Sequence, residues 1–287
     1  MRVCFLTAGP PEWASSRMRA YWPAMAMDDA IAVPIQQVER DLQSTGEIPD
    51  ADVYVFQKLY SSNIRAALPP GAAVVWDVCD PVWWFDPAGS REALENAHRV
   101  TASSLALARD LREWTEALLL DNPPSIFVIN DCLDLISHFR VKARHTDHTP
   151  IRFIWFGIYA NRVALHAAQA YLERLVADGY SIQLTIMDER PDIPHVFTSR
   201  VSFPIHFVEW SLERENEVLA AHDIALLPRY PGPWGWLKSD NKRMTAAACG
   251  LPVTTAQGYD ELTQLVASAK ARAAAVEGLS GWLVETV

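Results

Sequence analysis

Short blocks of apolar residues alternate in the first half of the chain with segments whose apolar residues recur at helical spacing. Blocks of about five Val, Ile, Phe and Ala residues are typical of buried strands. The predicted strands cover 2–7, 52–57, 73–77, 99–102 and 125–129, and the predicted helices cover 16–27, 63–68, 91–97 and 104–119. Apolar strands that alternate with helices favour a parallel sheet with both faces covered.

The alternation stops at a polar stretch and then starts again. Residues 141–150 show no apolar periodicity, and we interpret them as a linker. Beyond it, the predicted strands cover 151–156, 181–187, 205–208, 223–227 and 252–255, and the predicted helices cover 162–177, 213–221, 240–249 and 259–267. The pattern predicts two Rossmann-like, doubly wound α/β domains, 1–140 and 151–287. Ligands of such sheets bind beyond the carboxyl ends of the strands, so two domains that face each other predict a cleft.

The amino-acid composition and the charge favour some classes of protein and argue against others. Of 287 residues, 50% are hydrophobic and 21% are charged, which is typical of a globular protein. The formal net charge of −10 argues against nonspecific binding to a phosphate backbone. Apolar runs fall far short of the roughly 20 residues of a membrane span. Met1 leads directly into a predicted strand, so we expect no secretory signal. The four cysteines lie far apart, which disfavours structural zinc and favours a reduced, cytoplasmic protein.

Two of the five lysines, Lys238 and Lys242, lie four residues apart where a loop leads into a predicted helix. A helix start with free N–H groups and nearby cations suits an anion, and phosphate in particular. A solvated basic helix end is the alternative interpretation. Cations at this end of a helix oppose its macrodipole, which favours an anionic ligand slightly.

Carboxylates and tryptophans cluster just after the predicted strand 73–77. Asp77 and Asp80 can accept hydrogen bonds from sugar or alcohol hydroxyls, and one of them could act as a general base. Trp83 could stack on a sugar or a base, as could Trp234 in a Pro- and Gly-rich loop. Alternatively, the tryptophans are core residues and the aspartates cap the next helix.

Three segments in the second half resemble, in order and separation, the donor domain of GT-B glycosyltransferases. They are 223–228 (Asp-Ile-Ala-Leu-Leu-Pro), 238–242 (Lys-Ser-x-x-Lys) and 248–254 (Ala-Cys-Gly-Leu-Pro-Val-Thr). Further segments are similar to other parts of the same family. They are the glycine turn 154–157 with Asn161, the strand and helix start 99–104, the segment 128–134, and the Ser-Arg helix start 15–19.

This resemblance implies transfer of a sugar from a nucleotide-diphosphate sugar, a UDP- or GDP-sugar, to a hydroxyl acceptor. The implied reaction is retaining and uses no metal and no permanently bound cofactor. The donor would bind the second domain and the acceptor the first. The implied donor-site residues are Gly157, Asn161, Val208, Ser239, Asn241, Lys242 and Thr245. The candidate catalytic residues are Lys242, Lys238 and Asp80. The candidate acceptor-site residues are Arg17, Asp77, Asp80, Trp83 and Trp234.

The chain also departs from the family. Leu237 and Thr245 stand where many members carry two glutamates, although Thr245 can still bond a hydroxyl. The chain is short for the fold, so the helices that usually return to the first domain are expected to be reduced or missing. These departures leave open a non-enzymatic protein that binds sugar nucleotides.

The acceptor also stays open between a saccharide, a small molecule and a hydroxymethylated base in DNA. Arg140, Lys142, Arg144 and His145 form a compact basic run that could serve the DNA acceptor. The chain carries no P-loop, no Gly-x-Gly-x-x-Gly and no Ser-His-Asp order. NTPase, dinucleotide oxidoreductase and hydrolase functions therefore lack support.

Overall fold

A computed structural model describes residues 1–133, 150–193, 196–197, 199–256 and 258–268. They divide into two compact units. The first unit is Met1–Leu133 with Pro233–Asp240, and the second is the described part of Asp134–Gly232 and Asn241–Val287. A short segment from the second half of the chain thus belongs to the first unit. The basic run at 140–145, the predicted linker except Pro150, and the C-terminal residues after 268 lie outside the described residues.

The first unit is built on a six-stranded sheet, in which every pair of neighbouring strands is parallel. The strand order is β2-β1-β3-β4-β5-β6. The strands are β1 (Val3–Thr7), β2 (Ala30–Pro34), β3 (Val53–Gln57), β4 (Ala73–Val78), β5 (Arg99–Ala102) and β6 (Ser125–Val128). All five strands predicted for this half are present, because each carries a block of apolar residues.

Helices connect these strands. They are α1 (Ala14–Ser16), a π-helical turn (Arg17–Tyr21), α2 (Trp22–Met25), α3 (Ile35–Thr45), α4 (Ser62–Ala67), a 3-10 turn (Val82–Trp84), α5 (Pro87–Asn96) and α6 (Leu105–Ala117). The sequence pattern did not predict β2 or α3. The edge strand β2 is only partly buried, and α3 buries Ile35 and Val38, with Leu42 partly buried, on a mostly polar helix. Gly46, with φ +76°, then ends α3.

Side chains of the sheet separate onto two faces because successive residues of a strand point in opposite directions. One face carries the large core, which includes Tyr54, Phe56 and Trp76. The other face carries a small core of Val3, Phe5, Ala20 and Ala24, beneath the helical turns that follow β1. Asp77 alternates with the core residue Trp76 along β4, and its side chain meets Arg19 of the π-helical turn.

The second unit is built on a five-stranded parallel sheet of order β11-β10-β7-β8-β9. Its strands are β7 (Ile151–Phe156), β8 (Ile182–Asp188), β9 (Ile205–Glu209), β10 (Ile224–Leu226) and β11 (Val253–Thr254). Its helical segments are a 3-10 turn (Tyr159–Leu165), α7 (His166–Ala177), α8 (Leu212–Ala220), α10 (Asn241–Ala248) and the helical residues 259–268. Helix α9 (Pro233–Leu237), which lies in the first unit, falls where a loop was expected.

The prediction of two Rossmann-like parallel-sheet units is confirmed. Within the residues that the structure describes, no helix combines the length and the apolar character needed to cross a membrane.

Candidate functional site

Arg19 and Asp77 form a buried ion pair at the carboxyl end of β4. The guanidinium of Arg19 donates to both Asp77 oxygens, at 2.7 and 2.5 Å, and to Asp131 Oδ1 at 3.0 Å. Thr101 donates to Asp77 from the neighbouring strand. Burial alone would lower the pKa of Arg19, but Asp77 and Asp131 raise it above its usual value, so the guanidinium stays charged. Asp77, a predicted acceptor contact, is thus held by groups of its own unit.

Arg17, another predicted acceptor contact, is buried beside the first loop. Its guanidinium donates to the carbonyls of Pro11 and Glu12, both at 3.0 Å, and lies over the ring of Trp22. These bonds hold the loop that links β1 to α1.

The amides of that first loop already have partners inside the protein. Ala8 N–H donates to Gln57 Oε1 at 3.0 Å, and Gly9 N–H donates to Ser16 Oγ at 3.1 Å. The ring of Trp13 occupies the space that a side chain at Gly9 would need. The turn that often cradles phosphate in such folds is therefore filled by the protein itself.

Asp80 lies between two lysines of the first unit. Its Oδ2 is 2.6 Å from Lys58 Nζ, and its Oδ1 is 3.4 Å from Lys238 Nζ. Lys58 directly follows β3, which neighbours β4, so the adjacent carboxyl ends of the two strands bring Lys58 and Asp80 together. Burial lowers the pKa of Lys58, but its interactions with Cys79 and with the carboxylate of Asp80 raise it above its usual value. Lys58 also has φ +70°, a strained conformation for a residue with a side chain.

Aromatic residues follow Asp80 closely in the chain. Trp83 is buried, stacks on Trp114 and donates to Asp110 at 2.9 Å. Its neighbours Trp84 and Phe85 are exposed, and Phe85 contacts Trp234 with ring centroids 4.7 Å apart. The predicted stacking residue Trp83 is thus a core residue, whereas Trp234 lies at the surface beside Lys238.

Segment Pro233–Asp240 carries Trp234, Lys238 and Ser239 and is bonded to the rest of the first unit. Ser104 donates to the carbonyl of Leu237 at 2.8 Å, and Ser239 donates to Asp131 Oδ2. Ser239 was predicted to bind the donor, but in the structure its hydroxyl extends the Arg19–Asp131 network of the first unit.

Lys242 lies in the second unit, where the carboxyl end of β7 meets the start of α10. Its ammonium is 5.1 Å from the ring centroid of Trp155 and passes directly over Gly157. A Cβ at Gly157 would overlap Lys242 Nζ and would lie 3.2 Å from both Lys242 Cε and Trp155 Cη2. Glycine is therefore required for this close approach. The structure thus brings together two of the residues named for the donor site, Gly157 and Lys242.

The other predicted donor contacts of the second unit also lie on its carboxyl-end elements. Asn241 begins α10 and Thr245, four residues on, is buried on the same helix face. Asn161 lies in the 3-10 turn after Gly157, and Val208 lies near the end of β9. Lys238 and Lys242, which spacing alone had paired, belong to different units and have different neighbours.

A buried Arg162–Asp188 ion pair in the second unit was missed by sequence reasoning. Arg162 donates through two nitrogens to Asp188, the last residue of β8, and also donates to the carbonyls of Arg190 and Ile193. Its guanidinium lies over the rings of Tyr159 and Phe207. The pair joins the turn after Gly157 to the loop after β8. Two features of the sequence could have revealed this ion pair. One is an arginine that follows a glycine turn, and the other is an aspartate that ends an apolar strand.

In the described part of the chain, no cluster of three or more His, Cys, Asp or Glu side chains could hold a metal ion.

Comparison with solved structures finds proteins of the same fold. An alpha-glucosyltransferase in complex with UDP-glucose and DNA containing an abasic site is 13% identical, with a TM-score of 0.57 over 88% of this chain and 78% of that one. A structure of alpha-glucosyltransferase with UDP and a 13-mer DNA containing a HMU base is 12% identical, with a TM-score of 0.57 over 88% and 79%. A third, alpha-glucosyltransferase in complex with UDP, is 12% identical, with a TM-score of 0.58 over 88% and 80%.

At 12–13% sequence identity, the similarity to these structures shows a shared fold and nothing more. No family model matches the chain, and no curated protein matches its sequence.

Proposed function

We propose that the protein is a GT-B glycosyltransferase that transfers a sugar from a nucleotide-diphosphate sugar to a hydroxyl acceptor. The observation that carries the proposal is the position of the Lys242 ammonium over Gly157, beside the start of α10. At this carboxyl end of a parallel sheet, an ammonium group lies beside the start of a helix and over a glycine, whose backbone another group can approach closely. That combination suits a diphosphate, and proteins of the same fold have been solved with UDP.

In the proposed reaction, Lys242 neutralises the donor diphosphate. The bond between the sugar and the diphosphate breaks in the transition state, and negative charge grows on the leaving diphosphate. An ammonium fixed at that point stabilises the transition state more than the bound donor, which is how electrostatic catalysis accelerates a reaction. Gly157 allows the approach, and Asn161, Val208, Asn241 and Thr245 would line the rest of the donor site.

The proposal places the donor on the second unit and the acceptor on the first. In the first unit, the loop after β1 is filled by Trp13 and its amides are bonded to Gln57 and Ser16. Asp80 and Trp234 of that unit remain partly accessible and are proposed to contact the acceptor. Lys238, which pairs with Asp80, is then assigned to the acceptor side rather than to the diphosphate.

The proposed reaction is retaining. A ready general base would be needed for inversion, whereas each oxygen of Asp80 already faces an ammonium group, from Lys58 and from Lys238. The proposed reaction uses no metal and no permanently bound cofactor, the donor is a UDP- or GDP-sugar, and the protein works in the cytoplasm.

Donor hydrolysis tests the proposal without knowledge of the acceptor. The purified protein is incubated with UDP-glucose, UDP-galactose, GDP-glucose and GDP-mannose, and the released nucleotide is measured. We expect slow release from one donor class, and a loss of about tenfold or more in Lys242→Ala, because a charge-assisted contact contributes roughly 1.5–3 kcal/mol.

Arg243→Ala is the matched control. It removes a cation from the same helix turn, at a side chain that is exposed, whereas Lys242 is the lysine that lies over Gly157. Equal activity in wild type and Lys242→Ala would contradict the proposal. Nucleotide binding with no release from any donor would favour the alternative, a non-enzymatic protein that binds sugar nucleotides.

A further inference from the structure

We propose that Trp84, Phe85 and Trp234 of the first unit form an aromatic platform that binds a neutral saccharide acceptor. The inference rests on the proposed glycosyltransferase function and narrows its acceptor to one chemical class.

The platform presents large apolar side chains to solvent. Trp84 is 41% exposed and Phe85 is 64% exposed, and they are adjacent at the end of the 3-10 turn Val82–Trp84. Phe85 extends the apolar surface to Trp234 through their ring contact. A contiguous exposed apolar patch costs solvation free energy, and in a monomeric protein it commonly marks a binding site.

The rings of the platform are held in place by the protein. Asp110 accepts hydrogen bonds from the indole N–H groups of both Trp83 and Trp84, at 2.9 and 3.1 Å. Trp234 contacts the Phe85 ring, and the Lys238 ammonium is 5.4 Å from the Trp234 ring centroid. Fixed rings lose little conformational entropy when a ligand stacks on them, so the platform is preorganised for a flat, partly apolar partner.

Polar groups that match hydroxyls border the platform. Lys238 pairs with Asp80, which pairs in turn with Lys58. The carboxylate can accept from a sugar hydroxyl, and each ammonium has donors left after its bond to Asp80. A pyranose ring has an apolar C–H face and a rim of hydroxyls. An aromatic platform beside a carboxylate and two ammonium groups matches both parts.

The charged groups around the platform favour a saccharide over a nucleic acid as its ligand. Sequence-tolerant binding of single-stranded nucleic acid combines aromatic stacking with a positively charged groove. The aromatic platform is instead bordered by three carboxylates, Asp80, Asp86 and Asp110, and by the two lysines Lys58 and Lys238. Among the described residues, this surface has no excess of positive charge to hold a phosphate backbone, and it therefore favours a neutral ligand.

Calorimetric titration of the full chain tests the inference. The probes are maltohexaose, cellohexaose and mannohexaose, each alone and with saturating UDP. We expect one of them to bind, and Phe85→Ala to weaken its binding by about tenfold. The matched control is Phe127→Ala, which removes another half-exposed phenylalanine of the same unit, on the edge strand β6. It should bind the oligosaccharide like the wild type.

The same titration is run with a 13-mer DNA that contains hydroxymethylcytosine, at 50 and 200 mM salt. DNA binding that Phe85→Ala weakens, or an absence of binding by all three oligosaccharides, would overturn the inference. So would equal loss of binding in Phe85→Ala and Phe127→Ala. A separate titration of the wild type with UDP alone reports on the donor site. UDP binding without saccharide binding would refute the platform and leave the glycosyltransferase proposal standing.

Discussion

Arg19 and Asp77 meet in the first unit through two parallel hydrogen bonds, with side chains that are 3% and 5% exposed. Arg19 comes from the π-helical turn after β1, and Asp77 comes from the middle of the sheet. Arg19 also donates to Asp131 and to the carbonyl of Ile129, and Thr101 donates to Asp77. Both charges have been removed from water, so each depends on the other for its solvation.

Replacement of Asp77 by Asn should therefore destabilise the fold strongly. It leaves the buried Arg19 guanidinium without its main counter-charge, and breaking such a pair costs about 3–5 kcal/mol. Urea unfolding of the variant and the wild type measures the difference. Asp50→Asn is the control, because Asp50 pairs with Arg2 at the surface, where an ion pair contributes roughly 0–1 kcal/mol. Equal stability of the two variants would show that the buried pair contributes no more to the free energy of unfolding than the surface pair.

Gly157→Ala should weaken nucleotide binding and leave the fold nearly unchanged. The added methyl group overlaps Lys242 Nζ, and the flexible lysine can move away at little cost to stability, but it then leaves its place over Trp155. We expect the Kd for UDP to rise about tenfold, the loss of roughly one charge-assisted contact.

The control for this substitution is Gly258→Ala, in the same unit. A methyl group added at Gly258 would have no atom of the described residues within 4 Å of it. Melting temperatures of both variants exclude a general loss of stability. Wild-type affinity in Gly157→Ala would show that the Lys242 position does not matter for binding.

Two buried cysteines predict a loss of stability at alkaline pH. Burial raises the pKa of Cys4 and Cys249 to about 12, from a value of 9.0 in exposed chains. Between pH 9 and 12 the unfolded chain releases these protons and the folded protein keeps them, so the unfolded state binds fewer protons. The free energy of unfolding should then fall as pH rises, by about 1.4 kcal/mol per pH unit for each thiol.

Unfolding in urea at pH 8, 9, 10 and 10.5 measures this slope. Cys4→Ala combined with Cys249→Ala should be less stable at pH 8 but should show a shallower decline with pH. Titration of the tyrosines is common to both proteins and cancels in the comparison. Parallel declines would show that the thiols are not the titrating groups.

All strands except β2 could be predicted from sequence because each is a short block of mostly apolar residues, whereas β2 is an edge strand that is only partly buried. Lys58 could not be predicted as the partner of Asp80, since the contact depends on which strands become neighbours. Similarly, the spacing of Lys238 and Lys242 suggested one helix end. The structure starts α10 at Asn241, and Ser239 bonds to Asp131 of the first unit. Spacing reports on local geometry, whereas these contacts arise from tertiary packing.

Titration of the protein with UDP tests the central claim most directly. Wild type and Arg243→Ala should bind UDP with similar affinity, and Lys242→Ala should bind about tenfold more weakly or worse, with an unchanged melting temperature in the absence of nucleotide. An unchanged melting temperature assigns the loss to the site rather than to the fold. Wild-type UDP affinity in Lys242→Ala, or no UDP or GDP binding by the wild type, would contradict the account.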